Sequence, residues 1–121
     1  MRIGSILENQ KIEKRISITP EIVKKYISLG FEVCLTKNYG SHLGIQDDEF
    51  RNAGVTISKD ETEVLNSSDI IVQLGLPSED KILNTKENQT LIGVLNPYDN
   101  KEKLENLVRK KINIFSLELL P

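Results

Sequence analysis

Three polar residues stand where a chain of alternating strands and helices would put its chemistry: Arg15, Gln73 and Asn96. Arg15 lies in the connection between the apolar run RIGSIL (2–7) and the first helical pattern. Gln73 sits near the end of the run DIIVQL (69–74), and Asn96 directly follows TLIGVL (90–95). If these runs are parallel strands, all three residues lie beyond or near carboxyl ends, at the edge where such sheets bind ligands. A guanidinium presents a planar fork suited to a carboxylate or phosphate, whereas two amides can only hydrogen-bond. The competing reading is structural: Gln73 and Asn96 satisfy loop backbone groups while Arg15 pairs with a surface acid such as Glu13. On the residues alone that second reading is favoured, because side chain–backbone bonds of this kind are common.

Other chemistries find less support. The glycines stand at 4, 30, 40, 44, 54, 75 and 93, and neither G-x-G-x-x-G nor G-x-x-x-x-G-K-[ST] can be drawn through them. No cofactor-binding residue is therefore assigned to this chain. A single Cys34 and a single His42 make no zinc cluster, and the acids of IQDDEF lack an EF-hand pattern, so no metal site is expected. Cys34, within FEVCLT, reads as a small buried hydrophobe, and His42 as a solvent-exposed loop residue. No residue is assigned a catalytic role.

The elements that must position Arg15, Gln73 and Asn96 follow from the apolar periodicity. RIGSIL, FEVCLT (31–36), Val55 to Ser58, DIIVQL, TLIGVL and INIFSLEL (112–119) read as strands. Between them, Thr19 and Pro20 start a helix at EIVKKYISL, and DDEFRNAG forms a short one. Asp60 caps a third with Glu63 at the reciprocal capping-box position, Ser78 caps a fourth, and a last helix follows Asp99. Alternation of this kind implies an α/β fold, a three-layer α/β/α sandwich around a mostly parallel sheet, best described as flavodoxin-like. With 121 residues and no linker or repeat, the chain is one domain over 1–121. A net charge of −2 with interspersed signs argues against a nucleic-acid surface. No apolar run is long enough for a signal peptide or a membrane span, so the expectation is a cytoplasmic protein without direct membrane insertion.

The opening MRIGSILENQKIEKRISITPEIVKKYISLGFEV resembles that of the alanine dehydrogenase / NAD(P) transhydrogenase family, in which M-[RK]-[IV]-G leads to N-E-x-R-V-[AS]-x-T-P. Glu13, Arg15, Ser17, Thr19 and Pro20 match that stretch, with Ile12 for the usual Asn and Ile16 for the usual Val. NYGSHLGIQDDEFRNAGVTI is similar to a second family pattern, G-x-G followed by D-x-x-[FY]-x-x-A-G, through Gly40, Asp47, Phe50, Ala53 and Gly54. Asn38 replaces its first glycine; Asn tolerates a left-handed backbone better than most residues, so the turn can survive. FSLELLP resembles the segment preceding the R-I-S-R-A-Q stretch of the transhydrogenase alpha subunit.

The resemblance implies that Arg15, Gln73 and Asn96 are the equivalents of an arginine, a lysine and a histidine that hold substrate in alanine dehydrogenases. Only the arginine is kept. Amino-acid oxidation needs groups that manage protons, whereas hydride exchange between nicotinamides needs positioning. The leading expectation is thus the N-terminal part of the alpha subunit of a proton-translocating NAD(P) transhydrogenase. It implies NAD and NADP for the complete enzyme, with the Rossmann NAD-binding domain absent from this chain and the fragment inactive alone. Its partners would be the remaining transhydrogenase domains or subunits, in a homodimer peripheral to the inner membrane. The alternatives are an alanine or saccharopine dehydrogenase-like fragment and a stand-alone binding module that keeps Arg15 as a carboxylate anchor.

Overall fold

The computed structural model describes residues 1–11, 13–78, 81, 86–94 and 100–116. Six strands form its sheet: β1 (Arg2–Ser5), β2 (Glu32–Thr36), β3 (Thr56–Ser58), β4 (Ile70–Gln73), β5 (Thr90–Gly93) and β6 (Asn113–Ser116). Their order is β3-β2-β1-β4-β5-β6, and every neighbouring pair is parallel. Set aside the three-residue edge strand β3, and the remaining β2-β1-β4-β5-β6 is the flavodoxin-like order anticipated from the sequence. The chain reverses its walk between β1 and β4, which makes that gap the switch point of the sheet.

Helices α1 (Pro20–Ser28), α2 (Asp47–Ala53), α3 (Glu61–Ser67) and α4 (Lys101–Arg109) supply the outer layers. Strand residues alternate between two cores. Ile71 and Leu91 pack with Val64, Leu65 and Leu107 on one face, while Val33 and Leu35 pack with Val23, Tyr39 and Phe50 on the other. Close approach of α3 to β1 depends on Gly4. A Cβ there would lie 1.9 Å from Ser68 Oγ and 3.1 Å from Val64 Cγ1.

Local signals explain the helix starts. Thr19 Oγ1 accepts the Ile22 N–H at 3.3 Å, and Pro20 occupies the first turn. Asp60 Oδ1 accepts the Thr62 N–H at 2.9 Å, yet the expected reciprocal bond from Glu63 is not made. The Ser58 hydroxyl, at the end of β3, takes the Asp60 N–H at 3.2 Å instead and donates to Glu63 at 2.9 Å. A buried hydroxyl needing both a donor and an acceptor has displaced the carboxylate from its capping position.

The family-like stretch around Asn38 also has a physical basis. Asn38 adopts φ 63, so the left-handed turn survives the loss of glycine. The Asp47 carboxylate accepts the Asn38 N–H at 3.0 and 3.1 Å, and Phe50 packs edge-on against Tyr39 with ring centroids 5.8 Å apart. Gly54 ends α2 at φ 109, a conformation that favours glycine. Of the remaining expectations, the Ser78 helix is described only at Lys81, whose N–H reaches the Ser78 carbonyl at 3.0 Å. Residues 117–119 of the last anticipated strand lie outside the described residues.

Candidate functional site

At the switch point β1 stops at Ser5, two residues short of the apolar run, and the cause is Gln73. Its Oε1 accepts the Ile6 N–H at 2.7 Å and its Nε2 donates to the Ile6 carbonyl at 3.1 Å. The side-chain amide thus stands in for a peptide group and supplies the next rung between β1 and β4. Gln73 is 2% exposed, and its remaining Nε2 hydrogen goes to Glu8 Oε2 at 2.7 Å.

Around this clamp lies a buried polar network. Ser5 Oγ is 2.6 Å from the Val72 carbonyl and 2.9 Å from Gln73 Oε1, so its one proton serves these acceptors. Tyr39 Oη, 2.8 Å away, then donates to Ser5 and accepts the Ser17 N–H at 3.2 Å. Burial pushes the Tyr39 phenol above its ordinary value, which keeps the proton needed for that donation. Glu8 closes the network: Oε2 also accepts the Leu74 N–H at 2.9 Å and Oε1 the Gly75 N–H at 2.9 Å. Its carboxyl is nevertheless raised above the ordinary range, because burial outweighs those two backbone N–H groups. The negative charge of Glu13 adds to the rise, while the nearby Ser17 hydroxyl lowers it.

A cavity of about 800 Å³ opens at this edge, walled by Glu8, Gln10, Gln73, Gly75, Pro77 and Ser78. Lys11, Lys81 and Lys103 add positive charge to its lining, although Lys81 is paired with Glu61 at 3.1 Å.

The three residues singled out from sequence fare differently. Gln73 is at the edge, but every amide contact holds backbone or Glu8. Arg15 lies apart, with its side chain 74% exposed and its fork taken up by Glu13: Nε to Oε1 at 2.8 Å and the terminal nitrogen to Oε2 at 2.9 Å. Asn96 lies outside the described residues. His42 is exposed as expected and still has work in the loop after β1. Its Nε2–H donates to the Lys14 carbonyl at 2.7 Å, leaving Nδ1 to accept from Gln10 at 3.2 Å.

Sequence reasoning missed Glu8, Ser5 and Tyr39. A usable signal was present. RIGSIL and DIIVQL each carry one polar interruption, Ser5 and Gln73, near the ends of strands that turn out to be neighbours.

Sheet order, switch point and polar edge together define a doubly wound α/β domain with its ligand edge between β1 and β4. More specifically, the chain belongs to the alanine dehydrogenase/PNT N-terminal domain family, whose model matches residues 5–121. It is 33% identical over 126 residues to the first of the pieces that make up NAD(P) transhydrogenase subunit alpha in Rhodospirillum rubrum, covering 100% of this chain and 33% of that protein. It is 29% identical over 118 residues to alanine dehydrogenase of Methanococcus maripaludis, covering 98% of this chain and 32% of that one. The crystal structure of transhydrogenase from Sinorhizobium meliloti matches with a TM-score of 0.93 at 26% identity, over 100% of this chain and 36% of that one. The chain therefore spans about a third of the length of these relatives. Among the described residues no helix is long and apolar enough to cross a membrane.

Proposed function

We propose that this chain is the N-terminal part of the alpha subunit of a proton-translocating NAD(P) transhydrogenase, whose complete form moves hydride between NADH and NADP. The observation that carries this reading is the state of Gln73. An amide cannot shuttle protons, and this one is fully engaged in joining β1 to β4. Glu8 commits both oxygens to N–H donors, and Arg15 is held by Glu13. Such an edge suits a wall that positions a partner better than a centre that manages protons on an amino acid.

The described residues do not fit a dinucleotide pyrophosphate. Residues 6–19 separate β1 from α1 with no glycine-rich turn into the helix, and the carboxylates of Glu8 and Glu13 occupy that connection. NAD and NADP are accordingly assigned to other parts of the complete enzyme, and this chain alone binds neither appreciably and catalyses nothing. Calorimetric titration with each nucleotide is expected to give no saturable heat, and tight, stoichiometric binding would overturn that assignment. The remaining domains or subunits are its partners. In the complete assembly it sits as a homodimer on the cytoplasmic side, peripheral to the inner membrane.

Arg15 favours a second reading, an alanine dehydrogenase-like amino-acid dehydrogenase, since a guanidinium near this edge can anchor a substrate carboxylate. A chimaera in which this chain replaces the matching third of the Rhodospirillum rubrum relative separates the two. With its membrane partner, hydride transfer from NADH to an NADP analogue supports the first reading. Alanine-dependent reduction of NAD supports the second.

A further inference from the structure

The two faces of the sheet are covered unequally. On one face α3 lies over β1 and β2, and α4 packs on β6. On the other, α1 lies over β2 and α2 over β3. Beyond them, Val72, Ile92 and Phe115 stand in one row across β4, β5 and β6 as register partners. Alternation puts this row opposite Ile71, Leu91 and Ile114, which pack into the α3–α4 core. Exposure grows along the row. Val72 and Ile92 are half-buried, Phe115 is 55% exposed, and Val94, two residues beyond Ile92, is 40% exposed.

Topology explains the bare strip. The chain walks in one direction from β1 to β3 and in the other from β4 to β6, so crossovers of one hand place their helices on opposite faces. The same rule assigns the β4–β5 connection to the α4 side. No crossover among the six strands can therefore cover the Val72–Ile92–Phe115 row, although parallel sheets normally have both faces covered.

We infer that this strip is the docking surface for one amphipathic helix, supplied by the part of the longer family protein that this chain does not include. The inference rests on the reading that the chain works within a larger enzyme. Three arguments favour that occupant. The row spans two strand spacings, roughly 10 Å, which is the width of one helix. Relatives are about three times as long, so an in-chain source of the helix exists in them. A second copy fits less well, since four partly exposed side chains offer on the order of 300 Å² where a stable dimer buries about 800 Å² per partner.

The test compares Phe115→Glu and Val94→Glu in this chain alone and in the Rhodospirillum rubrum chimaera, with Leu29→Glu as a control at an exposed site on α1's end. In the chain alone both variants should leave Tm within about 2 °C, because a charge at an exposed position costs little. In the chimaera both should lower Tm by at least about 4 °C and speed amide exchange in β5 and β6, with the control inert. Equal, small effects in both settings would overturn the inference. So would sedimentation showing that the chain alone is a dimer dissociated by Phe115→Glu. Hydride transfer by the chimaera is read separately, and its failure strikes the transhydrogenase reading while leaving the docking result intact.

Discussion

Two buried glutamines flank strands at opposite edges of the sheet, and their surroundings diverge. At the amino edge Gln89, 1% exposed, donates to the Leu65 and Ser68 carbonyls and accepts the Lys86 N–H at 2.7 Å. Each group it serves is a neutral backbone atom near the end of α3 or the start of β5. At the carboxyl edge Gln73 likewise serves backbone, at Ile6, but it also touches a carboxylate and walls a cavity. A lone amide in an apolar run therefore marks an unmet backbone need at either edge. Only the added charge and open space distinguish the edge that can meet a ligand.

The largest expected effect comes from removing the clamp that bears the charge. Gln73→Leu strips partners from the Ile6 N–H, the Ile6 carbonyl and Glu8, each a loss of order 1–3 kcal/mol, so urea denaturation should show about 3 kcal/mol of destabilisation. Gln73→Lys should be nearly as harmful, since an ammonium has no acceptor for the Ile6 N–H. If the lysine variant proves as stable as the parent, Gln73 is not the strut described here. Gln89→Leu should cost somewhat less, about 2 kcal/mol, because no charged group loses a partner. A larger loss for Gln89 than for Gln73 would erase the contrast between the two edges.

How far these edges were legible in the sequence follows from what each residue depends on. Strand positions, the Thr19-Pro20 helix start and the Gly54 stop are local properties, and the structure reproduces them. The Gln73 clamp was half visible, because a polar residue inside DIIVQL had to find partners, but naming Ile6 required knowing that β1 and β4 are neighbours. Glu8 and Tyr39 were invisible for the same reason: their partners lie 66 and 34 residues away in Leu74 and Ser5. The Arg15–Glu13 pair, two residues apart, was anticipated because spacing alone brings it together. Asp60 met its expected cap, whereas Glu63 did not, since Ser58 entered from a strand that local pattern does not weigh.

A smaller effect should appear in the pH dependence of stability. The folded state holds the Glu8 proton more tightly than the unfolded chain does, the latter near the ordinary 4.5. Stability should consequently fall as pH rises from about 4.5 through the raised folded value, then level off. Glu8→Gln removes that limb. Urea midpoints of parent and variant, followed from pH 4 to 8, should converge towards acid and separate towards neutrality. A difference that stays flat with pH would mean that burial does not govern this carboxyl.

Glu13 sharpens the contrast with the smallest effect. Like Glu8 it accepts three N–H groups, here the backbone, Nε and terminal nitrogen of Arg15, at 3.0, 2.8 and 2.9 Å. Donor number is equal, yet Glu13 is lowered to about 2 while Glu8 is raised. What differs is the donor's charge and the solvent: Glu13 faces a guanidinium in water, and Glu8 faces neutral amides in a half-buried site. The sign of the pH effect therefore reverses. Stability from the Glu13 pair is complete above 4.5 and is lost as pH falls towards about 2. Arg15→Ala should move the Glu13 carboxyl, followed by NMR titration, from about 2 back towards 4.5, and leave the urea midpoint at neutral pH almost unchanged. If Glu13 stays low without Arg15, the cation is not what sets it, and the guanidinium is freer to meet an incoming carboxylate than the ion pair implies.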